Sequence, residues 1–516
     1  MLKLGVARCW LVTILGLIPA LSHGAGFFSC TGVYVGKSVS SDGTSLYGRT
    51  VDVAPWFSAN RFVSEPAKRG AGRIYRSTKN DFQWALPERT YAFVSTPLLA
   101  VPGSGIQHSA CANEAGFVVS GTVTGHSRPD VVALDPFVKD TGTGEESLPG
   151  LLAACCSSAD EALDLLAKVI AERGHTFSEM YMLADRQGAW YVEVYTGHQW
   201  AAVRMPEDKV ACWGNQFMLR SFDPASADVR YSPGLIPLVE KAGLLRRGAD
   251  GLPDLCETYS KPLEDYSNFR TWFGHHVLSP ETAGEYATDR ALPLFFSPSR
   301  KIGLRDVFEL MRTRYEGTAK CPETSGDKTV RVIGTTKQST CHVIAVDGCL
   351  PPEICSTIWA TPAQAEHAPF IPLNAAVTRH DPAFELDLPV GREGYDDRVA
   401  AYVFRRLAAV AEIDRKWYGD GVRAFWRQRE DELLSRYSDV WTVAAREWPD
   451  DSESARRRLT DFAVAEEGRA LADARRMFDG LSWYIISNNR IEGDGSGATS
   501  QPISPFTPSG NKGEHR

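Results

Sequence analysis

A layered α+β core is predicted, and three stretches of the chain carry that prediction. After Cys30 the residues Thr31, Val33 and Val35 alternate onto one face, Ser41-Asp42-Gly43 marks a turn, and Ser45 to Asp52 reads as a returning strand. Glu179 to Met205 is a second strand region. Its turns are Asp185-Arg186-Gln187-Gly188 and Thr196-Gly197-His198, and between them runs Trp190-Tyr191-Val192-Glu193-Val194, rich in aromatic and β-branched side chains. A helix lies between the two strand regions. Ser158-Ala159-Asp160-Glu161 has the form of a capping box, Ala162, Leu165, Leu166, Val169 and Ile170 follow at helical spacing, and Gly174 ends it. Strands, a helix and more strands suggest layers around one core.

Two further helical regions are readable. Leu304 to Tyr315 is one, ending at Gly317. The other is Asp396 to about Asn488, with a break at Gly419-Asp420-Gly421; its dense Arg and Glu residues read as solvated faces of an amphipathic bundle. Pro372 to Pro389 forms the join, and the Gly/Ser/Pro-rich stretch from Ile491 to Arg516 is expected to be disordered.

The chemistry centres on Cys30. Lys3 and Arg8, the apolar run from Cys9 to Leu21, and the small residues of Ser22-His23-Gly24-Ala25 have the form of a secretory signal, too short to span a membrane. Cleavage after Gly24 would leave Ala25 to Ser29 as a short propeptide. A cut before Cys30 would then put a thiol and a free α-amine on one residue. The thiolate is the nucleophile, and an amine titrating near 7.7–8.0 can act as its base. Two other readings of Cys30 stand beside this one: an ordinary buried cysteine, and a lipid-modified cysteine, against which the bulky Phe27-Phe28 argues.

The composition narrows the class. With 516 residues, 43% of them hydrophobic, the chain can bury a large core, and its net charge of −8 argues against a nucleic-acid binder. No later apolar run reaches the length of a membrane span. Of the 11 cysteines, Cys349 with Cys355 and Cys321 with Cys341 are the plausible disulfide partners if the chain is exported. The absence of any Asn-x-Ser/Thr acceptor favours a bacterial exported protein. Gly36-Lys37-Ser38 is not a phosphate loop, because position 31 is Thr. No Gly-x-Ser-x-Gly elbow or His-Glu-x-x-His helix occurs, and the adjacent His275-His276 cannot share one helical face.

Three local patterns remain. Arg49-Thr50-Val51-Asp52 ends the strand returning toward Cys30, where a cation would lower a thiol pKa and a carboxylate would hold an amine; three-residue spacing puts the two on opposite faces of a straight strand unless a bulge intervenes. Asn113-Glu114-Ala115-Gly116 and Gly214-Asn215-Gln216-Phe217 each offer an amide donor for an oxyanion, although Asn-x-x-Gly is also turn chemistry.

Taken together, Cys30-Thr31-x-Val33-x-Val35-Gly36-Lys37, Asp42-Gly43 and Gly48-Arg49-Thr50-x-Asp52 resemble the start of the C69 dipeptidases, a family of N-terminal-nucleophile (Ntn) hydrolases. Asn113-Glu114-x-Gly116, Trp190-Tyr191-Val192-Glu193, Asn215-Gln216-Phe217 and Phe370-Ile371-Pro372-Leu373 extend the similarity. Through that family the chain is similar to penicillin V acylases and bile salt hydrolases. The resemblance implies a four-layer αββα sandwich; with the readings above, the chain divides into a signal at 1–24, a propeptide at 25–29, the catalytic domain at 30–390, a C-terminal helical region at 391–490 and a tail at 491–516, the long leader and the high cysteine content being departures from the family pattern. It implies Cys30 as nucleophile, Arg49 and Asp52 flanking its thiol and amine, Asn215 as oxyanion donor, Asn113 contacting amine or substrate, and Arg331 as a second arginine. It implies no cofactor and a small peptide substrate, and the leader implies processing of an exported, periplasmic or secreted precursor. The helical region is expected to cover the site or to form a dimer. An N-acyl amide hydrolase and a lipid-anchored protein without activity are the alternatives.

Overall fold

A computed structural model of the chain describes residues 28–53, 61–101, 105–121, 125–386 and 396–488. The expected signal, Ala25 to Phe27 of the expected propeptide, and the tail at 491–516 lie outside the described residues.

The elements that build the sheets and the site are, in chain order, β1 (Phe28–Ser29), β2 (Gly32–Val35), β3 (Ser45–Val53), β4 (Val63–Glu65), β5 (Phe93–Val101), β6 (Gly105–Asn113), β7 (Val118–Gly121), α1 (Leu148–Cys155), α2 (Ala159–Arg173), β8 (Glu179–Ala184), β9 (Ala189–Val194), β10 (Trp200–Arg204), β11 (Val210–Trp213), β12 (Val229–Tyr231), α3 (Asp265–Leu278), β13 (Phe295–Phe296), α4 (Leu304–Arg312), β14 (Gln338–Val346), β15 (Ser356–Ala360), β16 (Ile371–Leu373), α5 (Ala400–Ala411), α6 (Asp420–Glu447) and α7 (Ser452–Asn488). One antiparallel sheet runs β13-β11-β2-β3-β14-β15-β16, with β1 also on β3. The other runs β12-β10-β9-β8-β7-β6-β5-β4.

Side-chain alternation sets the layers. Val33 and Val35 of β2 pack with Phe269 and Trp272 of α3 and Val307, Phe308 and Met311 of α4. Tyr34, between them in sequence, turns the other way and joins Met180, Met182 and Tyr191 from the second sheet. The alternate residues of that sheet, Tyr181, Leu183, Trp190 and Val192, pack under α1 and α2. The order is helices, sheet, sheet, helices, which is the αββα sandwich expected from the sequence.

The expected local signals hold with three adjustments. Ser158 Oγ accepts the Glu161 N–H at 3.2 Å, but the Glu161 carboxylate reaches back to the N–H of Ser157 (2.7 Å), one residue earlier than a capping box places it. Helix α4 stops at Arg312, before Tyr315, and the chain turns through positive φ at Tyr315 (67°) and Gly317 (82°). The C-terminal break lies in a single π-helical turn, Arg415–Gly419, and α6 begins directly after it.

The helices α5 and α7 share a core with the sandwich: Phe404, Leu407, Leu471 and Met477 cluster with Ile358 of β15 and Ile371 and Leu373 of β16. Helix α6 is tied to α4 by Glu430, whose carboxylate accepts from Arg305 (2.7 Å), from Arg312 and from the Phe370 N–H (2.9 Å). Among the described residues no helix is long and apolar enough to cross a membrane.

The expected disulfides are not formed: all ten described cysteines are free. Cys355 is buried with its thiol toward the Pro352 carbonyl (3.2 Å) while Cys349 is exposed, and Cys321 lies against the Glu323 carboxylate (3.5 Å) while Cys341 is enclosed in the core.

Candidate active site

Cys30 occupies a gap in a strand. β1 and β2 pair with β3 in one register, Ser29 opposite Asp52 and Gly32 opposite Arg49, and Cys30 and Thr31 lie between the two paired segments. Thr31 keeps one link, accepting the Thr50 N–H (3.0 Å), while its own N–H turns to Thr50 Oγ1 (2.9 Å). The Cys30 backbone is thereby released for other partners.

Arg49 and Asp52 flank Cys30 from opposite faces of β3, as their spacing requires. Arg49 reaches into the space between the sheets. Its Nη2 donates to Cys30 Sγ (3.3 Å) and to Glu145 Oε2 (3.2 Å), and its Nη1 donates to Ser109 Oγ (2.6 Å) and to the Gly121 carbonyl. On the other face, Asp52 Oδ2 accepts from Thr50 Oγ1 (2.9 Å) and pairs with Arg331, whereas Asp52 Oδ1 is buried with no partner among the described residues. The bulge lies in the neighbouring strand: Gln338 faces Asp52, Thr340 faces Val51, and the extra residue Ser339 donates to the Val51 carbonyl (3.1 Å).

Asn215 follows β11. The Cys30 N–H donates to Asn215 Oδ1 at 3.3 Å, and Arg270 Nη2 donates to the same oxygen at 2.6 Å. Because an arginine can only donate, this contact fixes which end of the amide is oxygen. The amide's donor is therefore Nδ2, on the other side from these two contacts. Gly214 permits the approach of α3, since a Cβ there would meet the Ser267 carbonyl oxygen at 2.6 Å.

Arg331 joins the site through Asp52 and through Ser29 Oγ, to which its Nε and Nη2 donate at 2.8 and 2.7 Å. Asn113 does not join it, which corrects the sequence-based assignment. Its Nδ2 donates to the carbonyls of Ala153 (2.9 Å) and Cys156 (2.7 Å) at the end of α1, and its Oδ1 accepts the N–H groups of Ala115 and Phe117 (both 3.0 Å). With Gly116 at φ 85°, Asn113 is the turn residue its Asn-x-x-Gly context allows.

Sequence reasoning missed Arg270, Glu145 and Glu193. Arg270, fully buried on α3, donates to the Cys30 carbonyl, to Thr31 Oγ1 (3.3 Å) and to Asn215; burial pulls its pKa down to about 10. The only signal was a cation inside the apolar run Phe269-Arg270-Thr271-Trp272-Phe273. Glu193 was visible as part of Trp190-Tyr191-Val192-Glu193, but with no task. Its carboxylate accepts from Tyr191 Oη (2.8 Å), Tyr195 Oη (2.7 Å) and the Met218 N–H (2.5 Å), pinning the segment that carries Asn215.

Burial raises Glu193 from 4.5 to about 7. The folded chain therefore holds this proton across a range where the unfolded chain releases it. The stability contributed by protonation is complete below the ordinary Glu range and is lost as pH rises through about 7. Glu193→Gln is expected to remove that slope, so wild type should lose a few kcal/mol relative to the variant between pH 5 and 8. Urea unfolding of both proteins at the two pH values measures it, and parallel slopes would contradict it.

Burial also pushes the Cys30 thiol up from its ordinary value; Arg49 opposes this, and Asp52 and Glu145 add to it. The thiol is thus neutral at rest. Asp52 is likewise raised by burial, against the pull of Arg331 and Arg270. For a metal, one group among the described residues brings ligand atoms together, Glu366, His367 and Glu412; Arg415 bonds both carboxylates, so their charge is already answered.

The family model described as Peptidase family C69 matches residues 29–428, from the residue before Cys30 through both flanking groups, Asn215 and into α6. The chain belongs to peptidase family C69. Among curated relatives, a probable dipeptidase B of Streptococcus pyogenes serotype M1 is 28% identical over 448 residues, covering 83% of this chain and 89% of that protein. A probable dipeptidase of Salmonella dublin is 26% identical over 387 residues, covering 74% and 87%. Among solved structures, penicillin V acylase from Agrobacterium tumefaciens matches 67% of this chain and 86% of its own at 14% identity, with a TM-score of 0.30.

Proposed function

We propose that this C69 member is an exported cysteine dipeptidase of the Ntn type, active once the chain is cut between Ser29 and Cys30. The observation that carries the reading is that both reactive ends of Cys30 already have partners of the right kind. Arg49 lies on the sulfur at 3.3 Å, and Asn215 accepts from the nitrogen at 3.3 Å. In the full-length chain that nitrogen is a peptide amide; cleavage would convert it into an α-amine with further hydrogens to place. Asp52 Oδ1, buried and without a partner among the described residues, supports its role as a second acceptor.

In the proposed cycle the amine takes the thiol proton, which the raised thiol would not shed by itself. Arg49 stabilises the thiolate, and the sulfur adds to the peptide carbonyl. Asn215 Nδ2 donates to the oxyanion. The C–N bond breaks as the Cys30 ammonium returns its proton to the leaving amine, and water then cleaves the acyl-thioester. Asp52, braced by Arg331 and Thr50, orients the amine. The dipeptidase names of the relatives support a short peptide as substrate.

Intact mass of the mature protein from its host tests the reading. A chain beginning at Cys30 and hydrolysing dipeptides is expected. An active chain that retains residues ahead of Cys30 would exclude the amine as base, and a diacylglycerol-sized addition would make Cys30 an anchor. Asn215→Ala is expected to lower kcat by about 10²–10³-fold, the loss seen when one oxyanion donor is removed. Single-turnover kinetics with a dipeptide reads this; a tenfold loss or less would mean that Asn215 only positions the Cys30 nitrogen.

A further inference from the structure

Arg49 is held in place without Glu145, through Ser109 Oγ, the Gly121 carbonyl and Cys30 Sγ. Yet Glu145 is also built into the site. Its backbone N–H donates to Glu179 Oε2 (2.7 Å), and Glu179 is in turn bonded by Tyr181 Oη (2.5 Å), so the Thr143-Gly144-Glu145-Glu146 loop is pinned to β8. The Glu145 side chain is 17% exposed, whereas that of Arg49, which it touches, is 1% exposed.

We infer that Glu145 selects substrates with a free N-terminus by receiving the α-ammonium of the peptide. The inference rests on the reading of Cys30 as nucleophile and goes on to separate a dipeptidase from an acylase. Two observations carry it. The first is distance. One nitrogen, Arg49 Nη2, bonds both Cys30 Sγ (3.3 Å) and Glu145 Oε2 (3.2 Å), so the carboxylate oxygen is no farther from the sulfur than those two contacts laid end to end. In a dipeptide poised for attack, the carbonyl carbon lies about 3–3.5 Å from the sulfur, and the α-nitrogen is two bonds of about 1.5 Å beyond it. The ammonium of the first residue therefore falls within reach of this oxygen, whereas the acyl chain of an N-acyl amide would put carbon there.

The second observation is charge. Glu145, Glu146 and Glu179 gather on this side of the nucleophile; burial pushes Glu179 well up, so it is protonated at rest, and burial also raises Glu145, against the pull of Arg49. The cations facing them are Arg49, shared with the thiol, and Lys79, which is 64% exposed and 3.8 Å from Glu146. His175, 3.5 Å from Glu179, is held neutral at ordinary pH because burial lowers it to about 4. Both carboxylate oxygens of Glu146 are buried without a hydrogen bond among the described residues. When the thiolate forms it draws on Arg49, the thiol proton passing to the Cys30 amine, and Glu145 is left with a weaker hold on the cation it shares. A substrate ammonium supplies a second cation at that step.

The test compares a dipeptide with its des-amino analogue, identical except for the missing ammonium, in wild type and Glu145→Gln. The analogue is measured as substrate and as competitive inhibitor. Wild type is expected to favour the dipeptide by about 10–100-fold, the range for a hydrogen bond to a charged group, and the variant to lose that preference mainly through KM. Any effect of the substitution on the thiol or on Arg49 acts on both compounds alike, so the ratio isolates the ammonium. A preserved preference in the variant, or none in wild type, overturns the inference. Should Glu145→Gln fail to fold, Glu145→Asp, which keeps the charge but withdraws it by one methylene, is expected to raise KM for the dipeptide and leave the inhibition constant of the analogue unchanged; equal changes in both would overturn it. Failure of the underlying reading looks different: alkylating Cys30 would leave dipeptide hydrolysis intact whatever Glu145 does.

Discussion

Cys30→Ser is expected to lower dipeptide hydrolysis by at least about 10⁴-fold while leaving the fold intact, the scale on which removal of a nucleophile acts in other hydrolases. The loss follows from the base. An α-amine titrating near 7.7–8.0 is matched to a thiol whose ordinary value is near 8.5, and Arg49 on the sulfur narrows the gap that burial opens. A serine hydroxyl is far less acidic, and the same amine cannot strip it. The structural cost is small, because oxygen replaces sulfur at a position that is 6% exposed and already faces a hydrogen-bond donor. Hydrolysis and the urea midpoint are measured on the same preparation, along with its intact mass. The mass matters because, if Cys30 itself cuts the Ser29–Cys30 bond, the serine variant will retain the residues ahead of it. A variant shown by mass to begin at position 30 and still active at the wild-type rate would end the proposed mechanism.

What could be read from the sequence follows the distance over which each contact acts. Cys30, Arg49 and Asp52 come from one hairpin, and local alternation and a turn are enough to place them together. Asn215 was found because Asn215-Gln216-Phe217 is one of the runs that carry the C69 resemblance. Arg270 reaches Cys30 across 240 positions, and Glu145 reaches Arg49 across 96. No periodicity encodes such pairings. Helix α3 itself escaped notice because Ser267 to His275 is buried without interruption, which erases the polar face that marks an amphipathic helix. Asn113 shows the opposite failure. Its motif was real but local: the same Asn-x-x-Gly that fits a site residue also closes a turn, and here the turn uses all of the amide. The disulfide expectations failed for a related reason, since spacing brings cysteines near in sequence but does not turn their thiols toward each other.

Glu430→Ala is expected to cost about 3–5 kcal/mol of stability, because it strands a buried cation. Glu430 is 1% exposed and Arg312 is 4% exposed, and they pair directly; Arg305 adds a second bond to the same carboxylate at 2.7 Å. Without Glu430, Arg312 keeps the Ala365 carbonyl (2.7 Å) and the half-exposed Glu309 (3.2 Å), which do not replace a buried counter-charge. The penalty is an asymmetry rather than the strength of the ion pair, so the double replacement Arg312→Met with Glu430→Leu should recover most of the loss. The consequence reaches the site through α4. Val307 on that helix lies where a Cβ on Gly48 would approach it at 3.2 Å, and Gly48 adjoins Arg49 on β3. Loosening α6 from α4 therefore frees the helix that backs the strand holding both flanking groups of Cys30. Activity and tertiary signal should then fall together in a urea titration of Glu430→Ala, at a lower midpoint than in wild type. A single-variant loss below about 1 kcal/mol, or a double variant no better than the single, would mean that Glu430 is not what ties α6 to α4.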